Sequence, residues 1–106
     1  MAFFALKTVH GPRWDDSRGI REQSAWDEHA AFMDGLVDAG FIVLGGPIGD
    51  GKQTMIIVEA SDEREVRARL GEDPWASMGL LRIGSIQPWT IWLDGRNQST
   101  ERAARS

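Results

Sequence analysis

Only two side chains in this sequence have an ordinary titration range near neutral pH, His10 and His29, and these are the residues able to pass a proton in both directions there. His29 falls in the middle of a segment with helical periodicity. It lies beside the apolar positions Trp26, Ala30, Met33 and Val37, which places it on the inward face. A half-buried imidazole works as base or acid when a carboxylate holds its tautomer and stabilises the imidazolium. The same position also suits a core histidine with one satisfied hydrogen bond. Asp73 is one of several carboxylates that could serve as partner. Pro74 drives it out of helical geometry into a turn, where an aspartate ordinarily caps the local backbone. Spacing alone does not bring positions 29 and 73 together. His10, at a strand end before Gly11-Pro12, reads as structural. Arg21 is the nearest cation able to stabilise negative charge developing on a substrate. Trp14 and Trp75 fall in turn or loop regions, where indoles either wall a pocket for a flat ligand or pin a loop to the core.

Other chemistries are excluded by what the chain lacks. With no cysteine there is no disulfide framework, no thiolate metal site and no thiol nucleophile. Neither histidine stands at HxH or HExxH spacing, so no metal site is expected. The glycines at 45, 46, 49 and 51 precede a strand and lack the lysine of a phosphate loop, which argues against a nucleotide site. A net charge of −4 makes nucleic acid a poor partner despite five tryptophans. No apolar run is long enough to span a membrane, and residues 1–6 lack the basic start of a secretory signal, so the expected location is cytoplasmic. No residue supplies redox chemistry, and no cofactor is expected.

The elements that must position these residues follow from periodicity and punctuation. Residues 3–10 are rich in strand formers and end at Gly-Pro, and residues 11–21 form a loop. Ser24 with Asp27 resembles a capping box and Gly40 suits a helix end, which brackets a helix of about four turns. Residues 41–44 and 54–60 form strands around the Asp50-Gly51 turn. Asp62 with Glu65 opens a second helix that Gly71 closes. Residues 80–93 read as one long strand, bent at Gly84 or Pro88, with Trp89 and Trp92 on opposite faces. The order β-α-β-β-α-β specifies an α+β, ferredoxin-like fold, an antiparallel sheet with two helices on one face. Residues 1–94 form the domain, and the polar, net basic piece 95–106 is expected to be a frayed tail. The middle strands are apolar at consecutive positions, so both sheet faces are apolar there. Two helices cover one face only, and a second copy is the simplest cover for the other. A homodimer with sheet facing sheet is expected.

With the pieces in order, the chain resembles the YCII-related (YciI-like) proteins. The resemblance rests on Trp26-Asp27-Glu28-His29-Ala30-Ala31-Phe32-Met33, Gly40-Phe41, Gly45-Gly46-Pro47, Asp73-Pro74-Trp75, Gly79-Leu80 and Ile86-Gln87-Pro88-Trp89, and covers residues 2–93. It implies a dimeric α/β barrel and a His–Asp dyad that maps onto His29 and Asp73. Some relatives of that kind are dehydrochlorinases of chlorinated hydroxyquinols. The segment from Gly11 to Gln23 is longer here than in the shortest members, which leaves the substrate open. The implied function is a small cofactor-independent lyase or isomerase on a small ring-derived substrate, with Trp14, Arg21 and Trp75 around it. The alternative is a non-catalytic metabolite-binding or dimeric interaction module, since ferredoxin-like domains host both. An imidazole that lines a pocket and touches Asp73 favours the enzyme; one sealed against backbone favours the module.

Overall fold

The computed structural model describes residues 1–96; of the net basic piece 95–106, expected to fray, all but Gly95 and Arg96 lies outside the described residues. Four strands form one antiparallel sheet: β1 (Ala2–His10), β2 (Ile42–Ile48), β3 (Gln53–Ala60) and β4 (Leu81–Pro88), in spatial order β2-β3-β1-β4. Between them run α1 (Trp26–Asp38), α2 (Glu63–Leu70) and a one-turn helix α3 (Pro74–Ser77), with a single 3-10 turn at Ile20–Glu22. This is the ferredoxin-like arrangement that the element order specifies, with α3 added between α2 and β4.

The period-two alternation of the strands builds the core. Phe4 and Leu6 of β1 stand opposite Val58 and Ile56 of β3. These four pack with Leu36, Phe41, Val66 and Leu70 into one buried cluster between sheet and helices. Thr8 is buried too, and His10 continues the same alternation to the strand end. On the opposite sheet face stand Phe3, Ala5 and Val9 of β1 with Met55 and Ile57 of β3. In β2 the register shifts between Ile42 and Leu44, so Ile42 pairs with Val58 while Leu44 pairs with Ile57 on the open face. A second irregularity leaves Gly84 unpaired between Ser85, opposite Lys7, and Ile83, opposite Thr8.

Helix ends follow local chemistry, with one correction. Gly40 at φ +79° closes α1: its N–H donates to the Val37 carbonyl at 3.0 Å, and the Phe41 N–H donates to the Leu36 carbonyl at 3.0 Å. Phe41 and Leu36 meet in the core, which locks the chain reversal. For α2, the Asp62 carboxylate accepts from the Glu65 N–H at 2.8 Å, while the Glu65 carboxylate reaches back to the Ser61 N–H at 2.7 Å. At the start of α1 the expected Ser24 cap does not form. The cap position is Ala25, held left-handed at φ 58° with no side-chain bond, and the Ser24 carbonyl just before it accepts from the Trp75 indole N–H. A second correction concerns residues 89–93, which leave the sheet after Pro88. Trp89 and Trp92 therefore lie beyond β4, not on its two faces.

Two glycines on α1 give opposite expectations. Gly35 is exposed within the helix, and a methyl group there would meet nothing within 4 Å, so Gly35→Ala should raise stability by about 0.8 kcal/mol. Gly40→Ala has the same free space but a left-handed backbone, and should lower stability by about 1 kcal/mol. Urea unfolding of the two variants checks the opposed signs.

Candidate active site

The site starts at α3. Asp73 stands at its N-terminus with Pro74 in the first turn, and its carboxylate oxygen Oδ1 accepts from the Trp75 N–H at 3.0 Å. That cap aims the carboxylate back at α1. There the His29 Nδ1 lies 2.8 Å from Oδ2 and 3.0 Å from Oδ1, with both residues buried, at 7% and 6% exposure. A carboxylate only accepts, so the proton in this contact belongs to Nδ1. Nε2 is then left with its lone pair. No hydrogen bond among the described residues engages Nε2, and no buried side-chain nitrogen there is left without a partner, so Nε2 opens to the cavity that His29 lines.

An aromatic stack holds the imidazole plane. Trp75 is fully buried, and its ring lies parallel to His29 at 3.8 Å and 4°. The Trp75 indole N–H donates to the Ser24 carbonyl at 2.6 Å, which fixes the indole and joins α3 to the start of α1. Trp14 meets the Trp75 edge at 5.7 Å in a T-shaped contact and stacks flat on His10 at 3.7 Å. The path that brings Trp14 there is set by backbone: the Gly11 N–H donates to the Leu80 carbonyl and the Arg13 N–H to the Gly79 carbonyl. A methyl group on Gly11 would run into the Gly79 carbonyl, so this approach requires glycine. The rest of the loop is tied by Gln23, whose buried amide accepts from the Asp15 N–H at 3.1 Å and donates to the Asp15 carbonyl at 2.8 Å and the Arg18 carbonyl at 3.1 Å.

These groups border a cavity of about 850 Å³ between the helices and the sheet. Its α1 wall is Trp26, His29, Met33 and Val37. The apolar stripe of the helix thus faces the cavity, while the buried positions of α1 are His29 and Leu36; Val37 is 52% exposed. Thr8, His10 and Trp14 line it as well, as do Gly45-Gly46-Pro47 of β2. Of the expected site residues, His29, Asp73 and Trp14 line this space. Trp75 stands behind His29 as its support, and Arg21 sits on the exposed 3-10 turn without lining the cavity. The cations that do line it are Arg67 and Arg82. No group of three or more metal-binding side chains occurs among the described residues.

Two residues of the site escape the sequence reading. Gln23 carries no motif that signals its role. His10 does carry a signal: it follows Phe4, Leu6 and Thr8 at period two, so strand geometry turns it toward the helices. Partial burial lowers its pKa below the ordinary histidine value, against the opposing pull of Asp16 and Asp50, with Lys52 adding to the lowering.

Among solved structures, the chain is similar to the 5-chloro-2-hydroxyhydroquinone dehydrochlorinase TftG from Burkholderia phenoliruptrix AC1100, in complex with 2,5-dihydroxybenzoquinone. The two share 23% identity over 90% of this chain and 97% of that one, with a TM-score of 0.52. The likeness shows the fold. No family model and no curated protein matches the chain.

Asp73→Asn retains an acceptor for the Trp75 N–H and sets an amide NH₂ against His29 Nδ1. The imidazole should then switch tautomer and carry its proton on Nε2, which NMR of the ring nitrogens reads directly. Asp73→Ala removes both acceptors and should lower stability by about 2–3 kcal/mol in urea unfolding.

Proposed function

We propose that this protein is a small cofactor-independent enzyme, a lyase of the dehydrochlorinase kind, acting on a hydroxylated ring. His29 is its base and Asp73 the group that orients that base. The observation that carries the reading is the Nδ1–carboxylate contact of 2.8 Å, with the opposite ring nitrogen open to a cavity large enough for a ring. The YciI-like resemblance of the His29 and Asp73 segments supports it, and so does the likeness to a fold that hosts a dehydrochlorinase.

The chemistry follows from the tautomer. With Asp73 holding Nδ1–H, Nε2 accepts the proton of a ring hydroxyl, and the carboxylate stabilises the imidazolium that forms. The O–H electron pair becomes a carbonyl as the ring carbon bearing chlorine takes a proton back from the imidazolium. Loss of a second hydroxyl proton then expels chloride and leaves a quinone. In total the substrate loses one proton and one chloride ion. The electrons removed from the ring depart with chloride, so no external oxidant enters the balance. Aromatic walls, Trp14 and Trp26, suit a flat ligand.

The test is chloride release from 5-chloro-2-hydroxyhydroquinone, the compound named for the similar enzyme. The wild-type protein should release one chloride per quinone formed, and His29→Gln should lower kcat by at least about a hundredfold. Binding of the quinol with no chloride released would instead mark a binding module.

The assembly belongs to the same proposal: a homodimeric α/β barrel in which two open sheet faces meet. Its support is the row of apolar side chains, Phe3, Ala5, Val9, Met55 and Ile57, on the face away from the helices. Sedimentation should give about twice the chain mass of 11.8 kDa. Leu44, paired with Ile57 on that face, is 52% exposed in the single chain, so Leu44→Glu puts a charge into that contact and should yield monomers, whereas Ile57 is already buried within the chain. Ile56 faces the helices, so a charge there would damage the core instead.

A further inference from the structure

The reaction above needs two protons removed from hydroxyls at opposite ends of a ring, and Nε2 of His29 reaches one end. We propose that His10 is the second base of the cavity, taking the proton of the far hydroxyl in the step that expels chloride. This inference rests on the proposed function and adds a residue to it.

Four observations meet at His10. It lines the same cavity as His29 and Trp14. Its ring is held flat against Trp14 at 3.7 Å and 8°, so one face is packed and its orientation set. No side chain among the described residues hydrogen-bonds its nitrogens, and no buried side-chain nitrogen there lacks a partner, so they face accessible space. Partial burial favours the neutral ring, the form that accepts a proton. The stack His10–Trp14, the edge contact Trp14–Trp75 and the stack Trp75–His29 join the two imidazoles through packed rings. They therefore stand as fixed walls of one site. Both imidazoles border the one cavity, and in the proposed reaction each serves one of the two ring hydroxyls.

The step balances without another reactant. After the first tautomerisation the ring carries one carbonyl and a carbon bonded to both hydrogen and chlorine. His10 takes the remaining hydroxyl proton, and that O–H pair becomes the second carbonyl. The ring double bond shifts onto the halogenated carbon, and the C–Cl pair leaves as chloride.

The experiment compares wild type, His10→Ala and His10→Phe for chloride release from 5-chloro-2-hydroxyhydroquinone, with and without added imidazole. Both variants should lose kcat by about a hundredfold with KM changed by a few-fold at most. Imidazole should restore part of the rate in His10→Ala, which leaves room for it, and none in His10→Phe, whose ring keeps the stack on Trp14 and fills the space. A folded His10→Phe protein with wild-type kcat overturns the proposal. So does a slow His10→Ala protein that imidazole leaves unchanged, since that loss would come from packing. Failure of the wild-type protein itself to release chloride overturns the reading of the dyad, and this proposal with it.

Discussion

The Asp73 carboxylate satisfies two obligations at once, and the rest of the site depends on that. It caps a one-turn helix through the Trp75 N–H and holds the Nδ1 proton of a histidine on another helix. A turn aspartate and a dyad aspartate are usually rival interpretations of one residue. Here the first makes the second possible, because the cap removes the rotational freedom that would let the carboxylate drift from the imidazole. Both groups are buried, where an unmatched polar partner is costly. The contact is therefore held by the fold and does not wait for a ligand to form it.

The tryptophans extend this constraint outward. Trp75 backs the imidazole, its indole N–H bonds the Ser24 carbonyl, and the next residue, Ala25, makes the left-handed entry into α1. A left-handed alanine carries local strain, of the kind found where a site demands a backbone its residues do not prefer. Trp14 then carries the packing from Trp75 to His10, and the Gly11–Gly79 approach brings Trp14 within reach. Helix start, loop path and strand end are thus coupled through aromatic rings around one cavity.

The sheet divides the labour of the chain. Its helix-side face supplies the core and borders the cavity, and its other face keeps an apolar row that no helix among the described residues covers. The β2 irregularity marks the division, since it turns Ile42 into the core and Leu44 out of it within three residues.

The sequence by itself determined the order of the main elements, the glycine that ends α1 and the cap of α2, because these rest on periodicity and local chemistry that neighbours along the chain decide. The tertiary structure decided what lies across gaps. His29 and Asp73 are separated by 44 positions, and no local pattern encodes their meeting; it follows from how α1 and α3 pack. The stripe Trp26, Met33 and Val37 signals burial correctly in kind, yet it faces a cavity, since periodicity reports an apolar surrounding and not whether atoms fill it. Ser24 makes no cap and its carbonyl instead accepts from an indole 51 positions away, and β4 ends at Pro88, near the start of its partner β1, although Trp89, Ile91 and Trp92 are good strand formers.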